Sequence, residues 1–416
     1  MRTRTTARAR GPLLMTPART SFSRTSLLGT VASFVDIWPE LDQLRSDCRA
    51  TDDVLLDPVH FLAATSRERR PCSVACWDGQ RLAGVLFATE HRVHGFRTGY
   101  AIGGDFSGRG LVLCRPEDEA AVIESAVHCI FSHGVHSLHL RMAPRSADSP
   151  DLRGLTTKYL TKSLEGVIPG DRMNLLSGYE QFLSTLGKHT RRNVRYYTRK
   201  AVDAGIQFEP RVDEEEFNRA RQRLNREAHF AAAREHLRRD DRLLALHSDS
   251  QRMGLRDRSG DLVALLCGFT MQRRFHLLTQ WNDPRHEKLS LSLVLRGFAV
   301  QHLISRGHNE LVFMGGTSLS FGRFCAPHRY CSLLLDRSTG PVRLAKRVLA
   351  GYALRRDRAG RPLPYTIETL AGGLLCDARL AVRTALNPAS IAFPAQPPRE
   401  SAAEEQLLSP APQVTG

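Results

Sequence analysis

Arginine and lysine side chains recur at helical spacing between Lys188 and Lys200, and such a pattern is suited to binding an anion. An α-helix over this segment places Arg191, Arg195 and Arg199 on one i, i+4 row, with Arg192 on the adjacent row. Like charges on such a row destabilise an isolated helix by about 0.2–0.5 kcal/mol per pair. The row therefore indicates acidic neighbours in the fold or a bound anion, and a solvated helix face is the alternative interpretation.

The composition indicates a globular protein with an excess of positive charge. The 416 residues are enough for two domains with their own cores, and 42% hydrophobic and 25% charged residues are ordinary values. The 59 Lys and Arg residues exceed the 43 Asp and Glu residues, for a formal charge of +16. This excess permits an anionic partner such as a nucleotide, coenzyme A, tRNA or an acidic membrane surface.

Cysteine usage and hydropathy limit the compartment in which the chain works. The nine cysteines are an odd number without a C-x-x-C pair, which predicts a reducing, cytoplasmic setting and neither a zinc nor another metal site. We find no apolar run of the roughly 18–20 residues that a membrane span requires. Arginines of the acid-free segment before Asp36 predict a flexible basic arm.

The order of predicted elements is mixed α/β and occurs twice along the chain. In the first half, strands are predicted at Thr30–Asp36 and Ser137–Met142, and a hairpin joins Cys72–Trp77 to Leu82–Thr89 through Asp78 and Gly79. The helices of that half are expected at Pro39–Arg49, Pro58–Ala63 and Pro116–Ser132.

The second half repeats this order with a larger opening helix. Helices are expected at Lys188–Ala204, Asp213–Phe230 and Leu289–Ser305, and strands at Phe208–Val212, Arg252–Arg256, Leu262–Met271, Phe275–Trp281 and Glu310–Met314. We expect a disordered arm at 1–25, domains at 26–150 and 170–340, a helical extension at 341–387 and a disordered tail at 388–416.

This succession of segments resembles the GNAT superfamily, in its tandem-domain Fem-like branch, closest to the CelD/BcsL-type acetyltransferase-like proteins. The matching segments run from Phe182–Leu186 through the basic helix to the strand ending at Asp283, then to Val312–Thr317 and Phe321–Phe324. The resemblance implies two tandem GNAT-like domains, the first of them degenerate. It also implies an acyl-CoA, such as acetyl-CoA, as co-substrate, with no tightly bound cofactor.

In that resemblance the donor lies between two splayed strands, which we expect to be Leu262–Met271 and Phe275–Trp281. The first strand would polarise the carbonyl through backbone groups near Gly268, and the following helix would bind the pyrophosphate at its N-terminus. Hydroxyls of Ser290 and Ser292 and charges of Arg285 and Lys288 are the further donor-binding candidates. The Gly-rich pyrophosphate loop of ordinary GNAT enzymes is absent, and Asp283–Lys288 occupies its place.

Acyl transfer requires a base for the acceptor, and we consider His229, His276 and Asp283 for this role. The unperturbed pKa of histidine suits proton transfer near neutrality, although many of the 16 histidines have other roles. Acceptor-binding candidates are Gln280 and Trp281 at the strand end, Gly316 after the last buried strand, and Arg191, Arg192 and Arg195 of the basic helix. Cys325 has no His-plus-acid pattern beside it and is expected to be a small buried hydrophobe.

Three functions fit these features. The first is an N- or O-acyltransferase whose acceptor attacks an acyl-CoA thioester directly; the acceptor is unknown and no DNA partner is expected. The second is a Fem-like aminoacyl transferase that takes its donor from tRNA, although Phe324-Cys325 stands where related sequences carry a lysine after phenylalanine. The third is a non-catalytic GNAT-like module that binds an anionic partner.

Overall fold

The computed structural model describes residues 22–51, 53–104, 111–142, 155, 159–168, 171–228, 232, 234–314, 325, 328–338 and 340–358. The strands are β1 (Arg24–Leu28), β2 (Arg69–Pro71), β3 (Ser73–Asp78), β4 (Arg81–Leu86), β5 (Ala88–Val93), β6 (Phe96–Gly103), β7 (Val112–Cys114), β8 (Ser137–Met142), β9 (Leu160–Ile168), β10 (Arg172–Asn174), β11 (Gln207–Glu209), β12 (Ser250–Arg256), β13 (Leu262–Met271), β14 (Arg274–Asn282), β15 (Glu310–Phe313) and β16 (His328–Asp336). The helices are α1 (Val31–Val35), α2 (Trp38–Asp47), α3 (Pro58–Ala64), α4 (Glu119–Ser132), α5 (Tyr179–Thr185), α6 (Lys188–Asp203), α7 (Glu214–Glu227), α8 (Arg234–Leu246), α9 (Leu291–Ser305) and α10 (Gly340–Arg358). None of the helices in these ranges is long and apolar enough to cross a membrane.

The first unit is built on a long bent hairpin. Its strands are interrupted at Cys72 and Phe87, so β3 and β4 join one sheet, ordered β1-β3-β4-β7, while β2 and β5 join another. The predicted turn is confirmed: Asp78 pairs with Arg81, and Gly79 has a φ of +58°, which glycine adopts without strain. Helix α4 packs on both β3 and β4.

One predicted strand is wrong. Residues 31–35 form α1, and the first strand lies earlier, at β1. Thr30 and Ser33 form a capping box in which the Thr30 hydroxyl accepts from the Ser33 amide and Ser33 accepts from the Thr30 amide. This local cap starts a helix where β-branched residues had indicated a strand.

The second unit is a six-stranded sheet ordered β10-β15-β14-β13-β12-β11. Alternate side chains of β14 face opposite sides, so Phe275 and Leu277 join the core beneath α5, α6 and α9. Leu278 and Trp281 join the core beneath α7 and α8. The sheet is therefore covered on both faces, and α8 also packs against α3 of the first unit.

The last described strand crosses from the second unit to the first. β16 pairs antiparallel with β8 on one side and with β9 on the other. Leu335 of β16 lies opposite Leu138 of β8 and opposite Thr161 of β9. Domain bounds drawn from chain order at 26–150 and 170–340 therefore do not follow the sheets. A strand that follows the second unit in sequence thus belongs to a sheet of the first unit.

Candidate functional site

The parallel pairing of β14 with β15 covers only the first part of β14. The two pair from Arg274 with Glu310 to Leu277 with Phe313, and the amide of Met314 donates to the Leu277 carbonyl at 2.9 Å. Beyond that point β14 runs on to Asn282 and stays paired with β13 on its other edge. Among the described residues, the edge of β14 from Leu278 to Asn282 on the β15 side has no strand partner, and we call this edge the gap between β14 and β15. The predicted splay between Leu262–Met271 and Phe275–Trp281 is wrong, because these two strands stay paired.

A β-bulge lies on β14 where the gap begins. Gly268 pairs with Leu277 and Cys267 with Thr279, which leaves Leu278 as the additional residue. Gly268 itself lies against the neighbouring strand, since a Cβ atom there would stand 2.2 Å from the His276 carbonyl oxygen. Its lack of a side chain permits this close approach. The irregular backbone lies on β14 at Leu278 and not at Gly268, near which the polarising groups were predicted.

Helix α9 begins beside the gap with an open N-terminus. Ser290 precedes it with φ 49° and ψ 48°, a left-handed conformation that is uncommon for a residue with a side chain. No side chain caps the helix and its first turn carries no acidic residue. The first amides of such a helix lack intrahelical partners and attract anions.

Gln280 connects β14 to this helix. Its side-chain amide donates to the Ser292 carbonyl at 3.2 Å, and its oxygen accepts from Nε of Arg296 at 2.8 Å. The Arg296 guanidinium also lies 5.8 Å from the centre of the Phe313 ring, so it stands between the two parting strands. Burial lowers the pKa of Arg296.

Asp283 and Arg285, expected as base and donor ligand, bind each other. Nε and Nη2 of Arg285 lie 3.0 and 2.5 Å from Oδ2 of Asp283, whose Oδ1 also accepts from the Arg285 amide. These hydrogen bonds lower the pKa of the Asp283 carboxyl. The carboxylate caps the 3-10 turn Pro284–Leu289 that leads to α9, and this pairing argues against a role as base.

His276 is buried on the opposite face of β14 from Gln280. Its ring stacks on Phe269 at 5.0 Å, and its Nδ1 has no hydrogen-bond partner among the described residues. Burial, then the neighbouring His60 and His247, lower its pKa to about 3. A neutral imidazole with so low a pKa is a weak base, so its position argues against the predicted role.

The remaining predictions divide between core, surface and undescribed residues. Trp281 is a core side chain, edge-on to Phe217 at 6.1 Å and 5% exposed. His229 and Gly316 lie outside the described residues, so their predicted roles stay predictions. Burial raises the pKa of the Cys325 thiol to about 11, in agreement with a buried small side chain.

The basic helix α6 packs on α9, and the basic side chains at its two ends have different partners. Arg191 donates to the Ser184 carbonyl and Arg195 to the Glu180 carboxylate at 2.5 Å, at the end nearer α5. Lys200, at the other end, donates to the Lys288 carbonyl at 3.1 Å, next to the start of α9. Lys200 and Lys288 are therefore the basic residues beside the open helix end, while Arg192 is exposed on the helix surface.

A buried carboxylate beside the bulge, Asp240, was not among the residues predicted from the sequence. Asp240 of α8 is 1% exposed, and its Oδ2 accepts from the Thr279 hydroxyl at 2.5 Å. Its Oδ1 accepts from Arg239 at 2.7 Å. The signal was present, because Asp240 falls on the same helical row as Leu237, Leu243 and Leu244, where an acidic residue is out of place.

The corresponding place in the first unit has the opposite charge. Strand β6 pairs in parallel with β8, and the intervening helix α4 begins after Glu117 and Asp118, with Glu119 in its first turn. Carboxylates there repel a phosphate, in contrast to the start of α9. Across the described ranges no group of three or more His, Cys, Asp and Glu residues is arranged to hold a metal ion.

Comparison with known proteins identifies the domain that carries this site. Residues 188–322 match the family model of the acetyltransferase (GNAT) domain, so the chain carries a GNAT domain and the predicted superfamily is confirmed. A search of curated proteins found no match.

Several solved structures are similar to the chain. L-PGS from Bacillus licheniformis is 13% identical with a TM-score of 0.44, covering 76% of this chain and 96% of that one. FemX is 9% identical with a TM-score of 0.46, covering 70% and 95%. A tandem GNAT protein from the clavulanic acid biosynthesis pathway is 9% identical with a TM-score of 0.44, covering 75% and 98%.

Proposed function

We propose that the protein is an acyltransferase that moves an acyl group from an acyl-CoA thioester to an amine or hydroxyl acceptor. The observation that carries this proposal is that the described pairing of β14 with β15 ends at a β-bulge, beside an uncapped helix start. An unpaired strand edge suits an extended donor arm, whose amides can hydrogen-bond to the free backbone groups. The match of residues 188–322 to the GNAT domain supports the same activity.

The donor phosphates are assigned to the start of α9. Its first amides, the Lys288 side chain and the nearby Lys200 supply positive charge, and the first turn holds no carboxylate to oppose it. Ser290 and Ser292 add hydroxyl donors there, while Arg285 is held by Asp283. The acyl-CoA is thus a co-substrate of the second unit, and the acidic start of α4 disfavours the first.

The transfer proceeds by direct attack in a ternary complex. In this proposal, backbone amides near the bulged Leu278 polarise the thioester carbonyl, which is supported by the end of the described β14–β15 pairing at Leu277. An enzyme nucleophile is not required, and the raised pKa of Cys325 disfavours a thiolate at that residue.

Thermal unfolding with coenzyme A, acetyl-CoA and longer acyl-CoAs tests the proposal. A ligand at 100 times its dissociation constant stabilises the native state by about 2.7 kcal/mol, which raises the melting temperature measurably. We expect such a rise with the CoA compounds. An unmoved melting curve at millimolar acetyl-CoA would contradict the proposal.

A tRNA-linked donor is the second candidate, because the exposed basic residues of α6 include Arg192 and Arg199. Filter binding of tRNA over a salt series distinguishes it. Affinity that falls steeply with salt, together with an unmoved melting curve in CoA, would favour aminoacyl transfer from tRNA.

A further inference from the structure

The face of β14 opposite α9 lies beneath α7 and α8, and the half-buried Thr279 belongs to this face beside the gap. On the α9 side, Gln280 and Arg296 fill the space between strand and helix with hydrogen bonds. On the other side, Thr279 is only half-buried and directs its hydroxyl towards α8. An acceptor that enters from this side meets the exposed part of Thr279 next to the bulge.

Thr279 has the geometry of a relay between the gap and a buried carboxylate. It is the residue directly after the bulged Leu278, and its hydroxyl donates to Oδ2 of Asp240. Because that proton is committed to Asp240, the oxygen lone pairs of Thr279 remain available to accept a proton. Arg239 occupies the other oxygen of Asp240 and keeps the carboxylate oriented.

We propose that Thr279 and Asp240 form the proton-accepting relay of the transfer site, an inference that rests on the proposed acyltransferase function. Thr279 is the catalytic residue that touches the acceptor, and Asp240 is a positioning residue that acts through it. This relay takes the place of His276 and Asp283 as candidates for the base, since His276 is buried and Asp283 is held by Arg285.

Transfer to an amine acceptor moves two protons along the relay. The nitrogen forms a bond to the carbonyl carbon while the carbon–sulfur bond breaks, and the electron pair of that bond leaves with the donor thiolate. The proton on nitrogen passes to the Thr279 oxygen as the hydroxyl proton of Thr279 passes to Asp240. Because Asp240 is 1% exposed, its proton returns through Thr279 to solvent, and the thiolate takes one up.

Acetylation of hydroxylamine tests the relay, because this small nucleophile enters without a dedicated acceptor pocket. The substitution Thr279→Val keeps the side-chain shape and removes the hydroxyl, and we expect kcat to fall by about 100-fold or more. Thr279→Ser keeps the hydroxyl and should restore most of the rate. The dissociation constant of coenzyme A, measured by calorimetry, should be the same in all three proteins.

A solvent isotope effect separates proton transfer from a structural role. The native protein and Thr279→Ser should react more slowly in D2O, and Thr279→Val should lose this difference. Asp240→Asn should behave like Thr279→Val, whereas the matched control Asp241→Asn, next along α8 and paired with Arg221, should behave like the native protein. If Asp240→Asn fails to fold, the rate and the isotope effect of Thr279→Val still test the relay.

The outcomes distinguish the two proposals. A native protein that acetylates hydroxylamine at a rate unchanged by Thr279→Val would overturn the relay and leave the acyltransferase function standing. A native protein that binds coenzyme A and shows no transfer would overturn the proposed function and the relay with it.

Discussion

At the scale of single residues, burial and pairing decide which ionisable groups are available for chemistry. Asp283 and Arg285 neutralise each other, and His276 is kept neutral within a core shared by Phe269 and His247. Residue type and strand position suggested all three as site residues. Sequence could not anticipate their partners, because each pairing depends on local turns and packing that a linear pattern leaves open.

The low pKa of His276 makes stability depend on pH. An unfolded histidine titrates near 6.5 and His276 at about 3, so between these values the unfolded chain binds a proton that the native state does not. The contribution of His276 is therefore complete above pH 6.5 and declines as pH falls, by about 2 kcal/mol between pH 7 and pH 5. We expect His276→Phe to remove this part of the decline in urea unfolding.

The exposed His189 of α6 offers a control for this titration. His189→Gln should leave the decline between pH 7 and pH 5 as it is in the native protein. A decline that stays the same in His276→Phe would show that the native state does take up the proton at His276.

At the scale of elements, the site depends on one strand, β14, and one helix, α9. Sequence periodicity predicted both, and Ser137–Met142 and the basic helix α6 were placed equally well, since long periodic or alternating segments identify themselves. The charge-rich α8 was not assigned to any element, and with it Asp240 was missed. The parting of β14 from β15 was misplaced, because sequence shows strands in order and not which edges pair.

The open start of α9 predicts opposite effects of one substitution on stability and binding. Ser292→Asp adds a carboxylate to the first turn, which should stabilise the fold by about 0.3–1 kcal/mol through the helix dipole. The same charge should repel the donor phosphates and weaken coenzyme A binding by about tenfold or more, which is 1.4 kcal/mol per decade. Chemical unfolding and calorimetry measure the two effects.

Ser305→Asp, at the exposed C-terminal end of α9, is the matched control. It adds the same charge away from the site and should lower stability without changing the affinity for coenzyme A. Equal affinities in Ser292→Asp and the native protein would place the donor phosphates elsewhere.

At the scale of the whole molecule, β16 connects the two units, because it follows the second unit in sequence and lies in a sheet of the first. This strand follows the GNAT domain in sequence and completes the sheet of the first unit between β8 and β9. The repeated element order predicted two mixed α/β units. Element order cannot predict this pairing, because β16 is distant in sequence from β8 and β9. The acidic start of α4 is unfavourable for phosphate binding, so the proposed donor site is assigned to the second unit alone.

Because β16 lies between β8 and β9, we expect a substitution in β16 to destabilise the whole first unit. Leu335 is fully buried in the core beneath α4, so Leu335→Ala should lower the free energy of unfolding by about 2–5 kcal/mol. Native-state hydrogen exchange should then accelerate in β6 and β8. Leu344→Ala on the exposed side of α10 removes the same group and should change stability little, and similar losses in both variants would contradict the coupling.

Amide hydrogen exchange with and without acetyl-CoA tests the location of the donor site most directly. We predict slower exchange on β14 from Leu278 to Asn282 and at the first amides of α9, with β7 and the start of α4 unchanged. Protection confined to the first unit, or exchange unaltered by saturating acetyl-CoA, would contradict the assignment of the acyl donor to the gap between β14 and β15.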